Sequence, residues 1–429
     1  MLKLLDASGE VGKKLISQLK LRSNKSNPAI EQTVAEIIEA VREHGDAAVR
    51  DYTMRFDGAL PSPPQLSRKD MEAAVKACDP AFLAALDRAS KNIRDFHERQ
   101  KQQSWFTTGP DGVVMGQRIR GLARVGVYVP GGTAAYPSSV LMNVIPAKIA
   151  GVHEIVMATP PGKDGKPNPE ILTAAFLSGV DRVFQVGGAQ AIASLAFGTE
   201  SIPRVDKIVG PGNIYVATAK KQLYGTVGID MVAGPSEILI LADETANPVF
   251  LAADLMSQAE HDVLASAILL TTSREIAEKT AAEVSRQILT LPRREIIERS
   301  LTDYGAAVVC ESMEEAVSFA NELAPEHLEL CVSSPMDYLG KIDNAGSVFL
   351  GEYSPEPLGD YFAGPNHVLP TSGTARFFSP LSVDSFVKKS SFLYYTKQAL
   401  EPAAKDIVTL ARAEGLTAHA NSICVRGFS

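Results

Sequence analysis

The sequence predicts an α/β protein built from doubly wound parallel sheets, and three observations predict it. Apolar runs of strand length alternate with helical runs, the pattern of βαβ units. Several strand runs close in glycine, at Pro130-Gly131-Gly132, Gly187-Gly188-Ala189-Gln190 and Gly210-Pro211-Gly212-Asn213. The chain has 429 residues, enough at roughly 150 residues each for about two or three domains with sizeable cores.

The first hundred residues read as helical scaffold. Between Asn27 and Phe56, Val34, Ile37, Ile38, Val41 and Val49 recur at helical spacing, with a bend expected at Gly45-Asp46. A second helical run, from Pro80 to Gln103, carries Phe82, Leu83, Leu86, Ile93 and Phe96. At Arg124 the pattern changes. Val125 to Val129 is a buried-strand run, followed by a helix from Ser138 to Ala150 and a strand from Glu154 to Thr159. A helix from Ile171 to Leu177, a strand from Arg182 to Val186, an alanine-rich helix and a short strand at Lys207 to Val209 complete one doubly wound unit. The rhythm continues in a second unit, with strand at Glu237 to Ala242, helix at Val249 to Glu260, strand at Ala265 to Thr271 and helix at Ile276 to Leu289. Further strands are expected at Ala306–Cys310, Leu328–Val332 and Ser347–Leu350. The Gly/Pro/Ser-rich stretch from Gly351 to Ser382 has little periodicity, and long irregular segments inside compact domains are usually functional or disordered. From Gln398 to Glu414 the chain is helical again.

Composition narrows the function. Hydrophobic residues make up 45% and charged residues 21%, ordinary for a globular chain and wrong for a disordered one. The net charge is −8, from 42 basic and 50 acidic residues. An acidic surface repels phosphate backbones, so nucleic acid is not the expected partner. The four cysteines, Cys78, Cys310, Cys331 and Cys424, contain no C-x-x-C pair. They read as buried free thiols in a reducing compartment. Charge arrives too early in Met1-Leu2-Lys3-Leu4-Leu5-Asp6 for a signal peptide, and no run of about 18 apolar residues suggests a membrane span. The expected location is the cytoplasm.

The chemistry-bearing residues gather late in the chain. His44, His97 and His153 lie in ordinary contexts and receive no role. His261, His327, His367 and His419 each sit among polar or acidic neighbours. Gln258 and His261 are three apart near a helix end and share a face, where an imidazole and an amide oxygen can hold a metal. A solvated helix terminus would look the same. Glu326 and His327 follow Pro325 on a helix-to-strand turn. An adjacent Glu and His can serve as acid and base near neutrality. Ligands in parallel sheets usually gather at the opposite, carboxyl, ends of the strands, which counts against that turn. Asp360 and His367 lie in the irregular stretch, and Glu414 and His419 just past the last helix. Together these residues suit a zinc site with separate acid-base groups. The glycine turns can approach a pyrophosphate, although tight turning alone also explains them.

In this order, these segments resemble histidinol dehydrogenase. The resemblance runs from Gly126-Val127-Tyr128-Val129-Pro130-Gly131-Gly132 to Leu416-Thr417-Ala418-His419. Its most specific part is Ile229-Asp230-Met231-Val232-Ala233-Gly234-Pro235-Ser236-Glu237 followed by Ser257-Gln258-Ala259-Glu260-His261. Pro325-Glu326-His327 and Gly364-Pro365-Asn366-His367 extend it. The resemblance implies two Rossmann-like doubly wound parallel-sheet domains, the first discontinuous, and a small helical C-terminal tail. The implied boundaries are an N-terminal helical segment at 1–25, a zinc and substrate domain at 26–127 and 236–378, an NAD-binding domain at 128–235, and a tail at 379–429. It implies oxidation of L-histidinol to L-histidine through histidinal, with two NAD and zinc. Zinc ligands would be Gln258, His261, Asp360 and His419. The last comes from the second subunit of a homodimer that exchanges tails. Substrate contacts would be Ser236, Gln258, His261, His327, Asp360, His367, Glu414 and His419. NAD contacts would be Tyr128, Gln190 and Asn213, with Glu326 and His327 as the acid-base pair. The rivals are a relative acting on another amino-alcohol or diol, a zinc hydrolase whose Glu326 activates water, and a non-catalytic binding protein. A thiohemiacetal at Cys331 is a further alternative, against which its strand pattern argues.

Overall fold

A computed structural model describes the chain apart from residues 1, 8–13, 16, 18, 20–26, 63, 132–135, 163–164 and 429. Among the described residues the strands form two six-stranded sheets and one of three strands. The first sheet runs in the order Lys3–Asp6, Gly305–Val309, Ser266–Thr271, Glu237–Ala242, His327–Cys331, Ser347–Leu350, with every neighbouring pair parallel. The second runs Gln65–Leu66, Arg182–Gln185, Glu154–Thr159, Arg124–Tyr128, Lys207–Val209, Gly228–Ile229. It is parallel except for the short Gln65–Leu66 edge.

Each parallel sheet separates two cores, as a doubly wound fold requires. Along Glu237–Ala242, Ile238, Ile240 and Ala242 enter one core while Leu239 and Leu241 enter the other. In the second sheet, Val125, Val127, Ile155 and Met157 face one layer of helices, and Tyr128, Val156 and Ala158 face the opposite layer. Successive strand side chains point to opposite faces, so a strand that is apolar throughout must be covered on both sides. The covering helices start from a repeated device. Asn27, Asp79, Asn168 and Asn247 each cap a helix whose first residue is proline, the side-chain oxygen accepting a backbone N–H of the first turn.

Three boundaries implied by the resemblance are corrected. In the 1–25 segment, expected to be helical, Lys3–Asp6 is instead an edge strand paired with Ala306 to Val309, whereas Lys14, Leu15, Ser17 and Leu19 are helical; most of the remaining segment lies outside the described residues. Residues 26–127 do not belong with the zinc and substrate unit. Val34, Ile37, Val41, Met71, Leu86 and Ile93 pack into the cores of the second sheet, and Arg124–Tyr128 is one of its central strands. The physical reason is pairing: a helix-rich segment takes its place from the apolar face that receives it, which no local pattern specifies. The first sheet remains discontinuous, because its Lys3–Asp6 strand joins strands from 237–350.

The third correction concerns the 379–429 tail. Its helices are present at Lys397–Ala413 and Thr417–Cys424. The eight-residue strand Val387–Tyr394 precedes them and pairs antiparallel with Val114–Gly121, which pairs in turn with Trp105–Thr108. Leu381, Val383 and Phe386 enter the second sheet's core. The Gly/Pro/Ser-rich stretch thus bridges the two units. No helix among the described residues is long and apolar enough to cross a membrane.

Candidate active site

The two parallel sheets face each other across a cavity of about 1580 Å³. The first sheet presents the amino ends of Glu237–Ala242 and His327–Cys331, through Ser236, Glu326 and His327. The second presents carboxyl ends, through Pro130 and the Gly210–Asn213 turn. The carboxyl-end rule therefore holds for only one of the sheets. Glu326 and His327 do lie at the amino end where the helix-to-strand turn placed them, but the second sheet's edge closes over them, so that placement does not count against a site.

His327 is the first residue of its strand and is buried. Its Nδ1 lies 3.0 Å from the carbonyl oxygen of Glu237, to which only an N–H can donate. Nδ1 thus carries the proton and Nε2 keeps a lone pair. That Nε2 is buried without a hydrogen-bond partner and lies 3.8 Å from Asp360 Oδ1. Burial holds the imidazole below its ordinary pKa, so it is neutral and ready to accept a proton. Beside it, Glu326 Oε2 accepts the Glu237 backbone N–H at 2.9 Å. Burial raises this carboxyl well above the usual range, and the nearby carboxylates Glu237, Asp360 and Glu356 push it the same way.

The helix Pro248–Ala259 delivers Gln258 and, just past its end, His261. His261 Nδ1 lies 3.0 Å from the Ser257 carbonyl oxygen, so Nε2 is the free nitrogen. Gln258 is fully buried beside that ring, its Nε2 3.4 Å from His261 Nδ1, and its Oε1 has no partner. Asp360 comes from the short helix Glu356–Tyr361. Glu356, four residues earlier, joins it: one ligand atom each from His261, Glu356 and Asp360 lie within 4.8 Å of one another. An orphaned amide oxygen, a free imidazole nitrogen and two carboxylates fit a divalent cation such as zinc. The i, i+4 spacing of Glu356 and Asp360 was the signal that sequence reasoning overlooked.

His367 lies beside Asp360. Its Nδ1 donates to the Asp360 carbonyl oxygen at 3.0 Å, and its Nε2 is 3.3 Å from Ser139 Oγ. It therefore links the bridge segment to the helix Pro137–Ile149 of the second unit. Asn213 lines the cavity and caps Ile214–Leu223, its Oδ1 accepting from Tyr215 N at 3.0 Å and Val216 N at 3.2 Å. Gly210 has φ +111°, and a Cβ there would collide with the Tyr128 carbonyl oxygen. The buried Lys220–Asp230 ion pair clamps its peptide: Asp230 Oδ2 accepts the Gly210 N–H at 2.9 Å and Lys220 Nζ donates to its carbonyl at 3.0 Å.

Other expected residues stand apart. Tyr128 and Gln190 are buried and do not line the cavity. Tyr128 Oη accepts the Gly188 N–H at 3.2 Å, and both amide atoms of Gln190 lack partners. Gly132 of the first glycine turn lies outside the described residues. Glu414 and His419 are exposed and lie away from the cavity within this chain. Cys331 is buried in the core, and its thiol is pushed far above its ordinary pKa, which keeps it from acting as a thiolate nucleophile.

The family model described as histidinol dehydrogenase matches residues 20–427. The chain belongs to the histidinol dehydrogenase family. It is 57% identical to the histidinol dehydrogenase of Clostridium acetobutylicum, over 97% of this chain and 96% of the relative. It is also 57% identical to that of Caldanaerobacter subterraneus, over the full length of both. The crystal structure of histidinol dehydrogenase from Elizabethkingia anophelis superposes with a TM-score of 0.93 at 40% identity, covering 99% of this chain and 98% of that one. The histidinol dehydrogenase fold is thus the frame in which these side chains converge.

Proposed function

We propose that this chain is a cytoplasmic zinc- and NAD-dependent enzyme that oxidises L-histidinol to L-histidine through histidinal, closing histidine biosynthesis. The observation that carries this reading is the unpartnered Nε2 of buried, neutral His327, aimed into the cavity beside Asp360. At about 1580 Å³ the cavity exceeds the roughly 300–1,000 Å³ of a single small-ligand pocket, which suits an amino-alcohol together with a dinucleotide.

In the first half-reaction His327 Nε2 accepts the hydroxyl proton as a hydride leaves the carbon, giving histidinal and one NADH. In the second, Glu326 takes a proton from a water that adds to the aldehyde while His327 returns the proton it holds to the aldehyde oxygen, which gives the hydrate and frees Nε2 again. His327 then accepts the hydroxyl proton of the hydrate as the second hydride leaves. Zinc held by Gln258, His261 and Asp360 would supply a Lewis-acid anchor for the substrate's nitrogen atoms. NAD, held at the cavity wall by Asn213, would accept the hydride, while Tyr128 and Gln190, buried outside the cavity, would support the Gly187-Gly188 turn rather than touch the cofactor. His367 and Ser236 orient polar groups of the substrate, and burial of His327 and Glu326 keeps bulk water from competing.

Glu414 and His419 enter this site from a second copy in a homodimer with exchanged tails. Their exposure and their distance from the cavity within one chain support that reading. So do Trp105, Phe106, Phe392, Leu393 and Tyr394, which are left exposed on the antiparallel sheet.

The deciding experiment counts NADH formed per L-histidinol, before and after chelation and with zinc restored. Two NADH, lost on chelation and recovered with zinc, are expected. One NADH would refute the four-electron sequence, and full activity after exhaustive chelation would refute the role of zinc.

A further inference from the structure

Glu356 is only 1% exposed and has more polar partners than a cap requires. Its backbone N–H donates to Glu329 Oε1 at 2.8 Å, which fixes the start of the helix Glu356–Tyr361. Ser257 Oγ donates to its Oε2 at 2.9 Å. One carboxylate oxygen therefore remains to face the cavity, in the group where Glu356, His261 and Asp360 come within 4.8 Å of one another. Glu356 and Asp360 lie one helical turn apart, so their like charges oppose each other. Among the described residues no lysine or arginine pairs with either, and the charged groups around Glu356 are Asp360, Asp254, Glu326 and Glu329 together with the imidazoles of His327 and His261. Gln258, whose Nε2 lies 3.4 Å from His261 Nδ1, carries an Oε1 that is fully buried and unpartnered. A cation there would offset the repulsion and satisfy the amide oxygen together.

Resting on the zinc reading above, we propose that Glu356 is a metal ligand. With Gln258, His261 and Asp360 it completes four donors inside one chain, so the metal is held before His419 of a second copy arrives. Two carboxylates balance a divalent charge, and the amide and the neutral imidazole add none. The set is therefore neutral, which suits a buried site. Metal loading then precedes tail exchange, and the arriving His419 joins or displaces Glu356 rather than creating the site.

The test measures zinc affinity of full-length chains by competition with a chromophoric chelator, so it needs no turnover. His419→Ala should keep about one zinc per chain. Adding Glu356→Gln retains the group that Ser257 donates to but removes the anionic donor, and it should weaken zinc binding by more than the roughly 10–100-fold that loss of an outer-shell partner costs. Glu356→Asp, also in the His419→Ala background, keeps the charge but shortens the reach. It should fall between the two, and it serves if the glutamine variant melts at the assay temperature. Equal affinities of His419→Ala with and without the Glu356 changes would overturn the proposal, as would loss of zinc from His419→Ala alone. A parent chain that binds no zinc would overturn the zinc reading itself, a result distinct from either.

Discussion

Replacing His327 with asparagine isolates proton transfer from architecture. Asparagine Nδ2 reaches close to the position of imidazole Nδ1, so it can still donate to the Glu237 carbonyl oxygen, now 3.0 Å from the ring. The start of the strand is kept, and the pairing of His327 with Ile238 and Ser347 is backbone-borne. What is lost is Nε2, a buried nitrogen with no other partner. A positioned general base contributes about 10²–10⁴-fold, equivalent to roughly 3–5 kcal/mol at about 1.4 kcal/mol per decade. Turnover of His327→Asn at saturating L-histidinol and NAD, followed as NADH absorbance, should therefore fall by about two to four decades. Zinc content should not change, because His327 contributes no donor to the metal cluster. Unchanged turnover at saturation would refute the base assignment. Loss of zinc in parallel with activity would show that the variant disturbed the cluster instead.

Three further outcomes are expected. Glu326→Gln should depress histidinol oxidation more than histidinal reduction, since water is needed only after the aldehyde forms; equal losses in both directions would contradict that division. His261→Asn and His419→Ala chains should each be inactive alone yet recover part of the activity when dissociated and reassembled together, because one mixed site holds both wild-type side chains. No recovery from any mixture would argue against exchanged tails. The third expectation concerns stability. Burial raises Asp57 from its ordinary 3.8 to about 6, and its Oδ2 is buried without a partner. The fold favours the neutral carboxyl, so that contribution is complete below about 3.8 and is lost as pH rises through about 6. Asp57→Asn, permanently neutral, should therefore raise the melting temperature relative to the parent at pH 8 and much less at pH 4, as thermal scans would read directly. An equal difference at both pH values would refute the titration as the cause.

Much of this organisation was legible before any coordinates. The apolar runs fixed where the strands of both parallel sheets lie, because a strand covered on both faces has few polar residues to interrupt it. Gly45, with φ +50°, ends Pro28–His44 where the bend was expected. The segments carrying Gln258, His261, Glu326, His327, Asp360 and His367 stood out because titratable residues sat at the ends of elements. Other features were hidden. Glu356 lay within an irregular stretch and gained meaning only when the helix Glu356–Tyr361 stacked it one turn from Asp360. Val387–Tyr394 was missed because its partner, Val114–Gly121, lies about 270 residues earlier and pairing over such a separation leaves no local mark.

By itself, then, the sequence determined the class of fold, the run of its main elements and the side chains able to do chemistry, since these depend on periodicity, turn residues and functional-group identity within short windows. Tertiary structure decided which sheet received residues 28–98, that the active cavity joins the amino edge of one sheet to the carboxyl edge of the other, and that Glu414 and His419 stand outside it. Those outcomes depend on which apolar faces bury one another, an energy summed over contacts between distant segments.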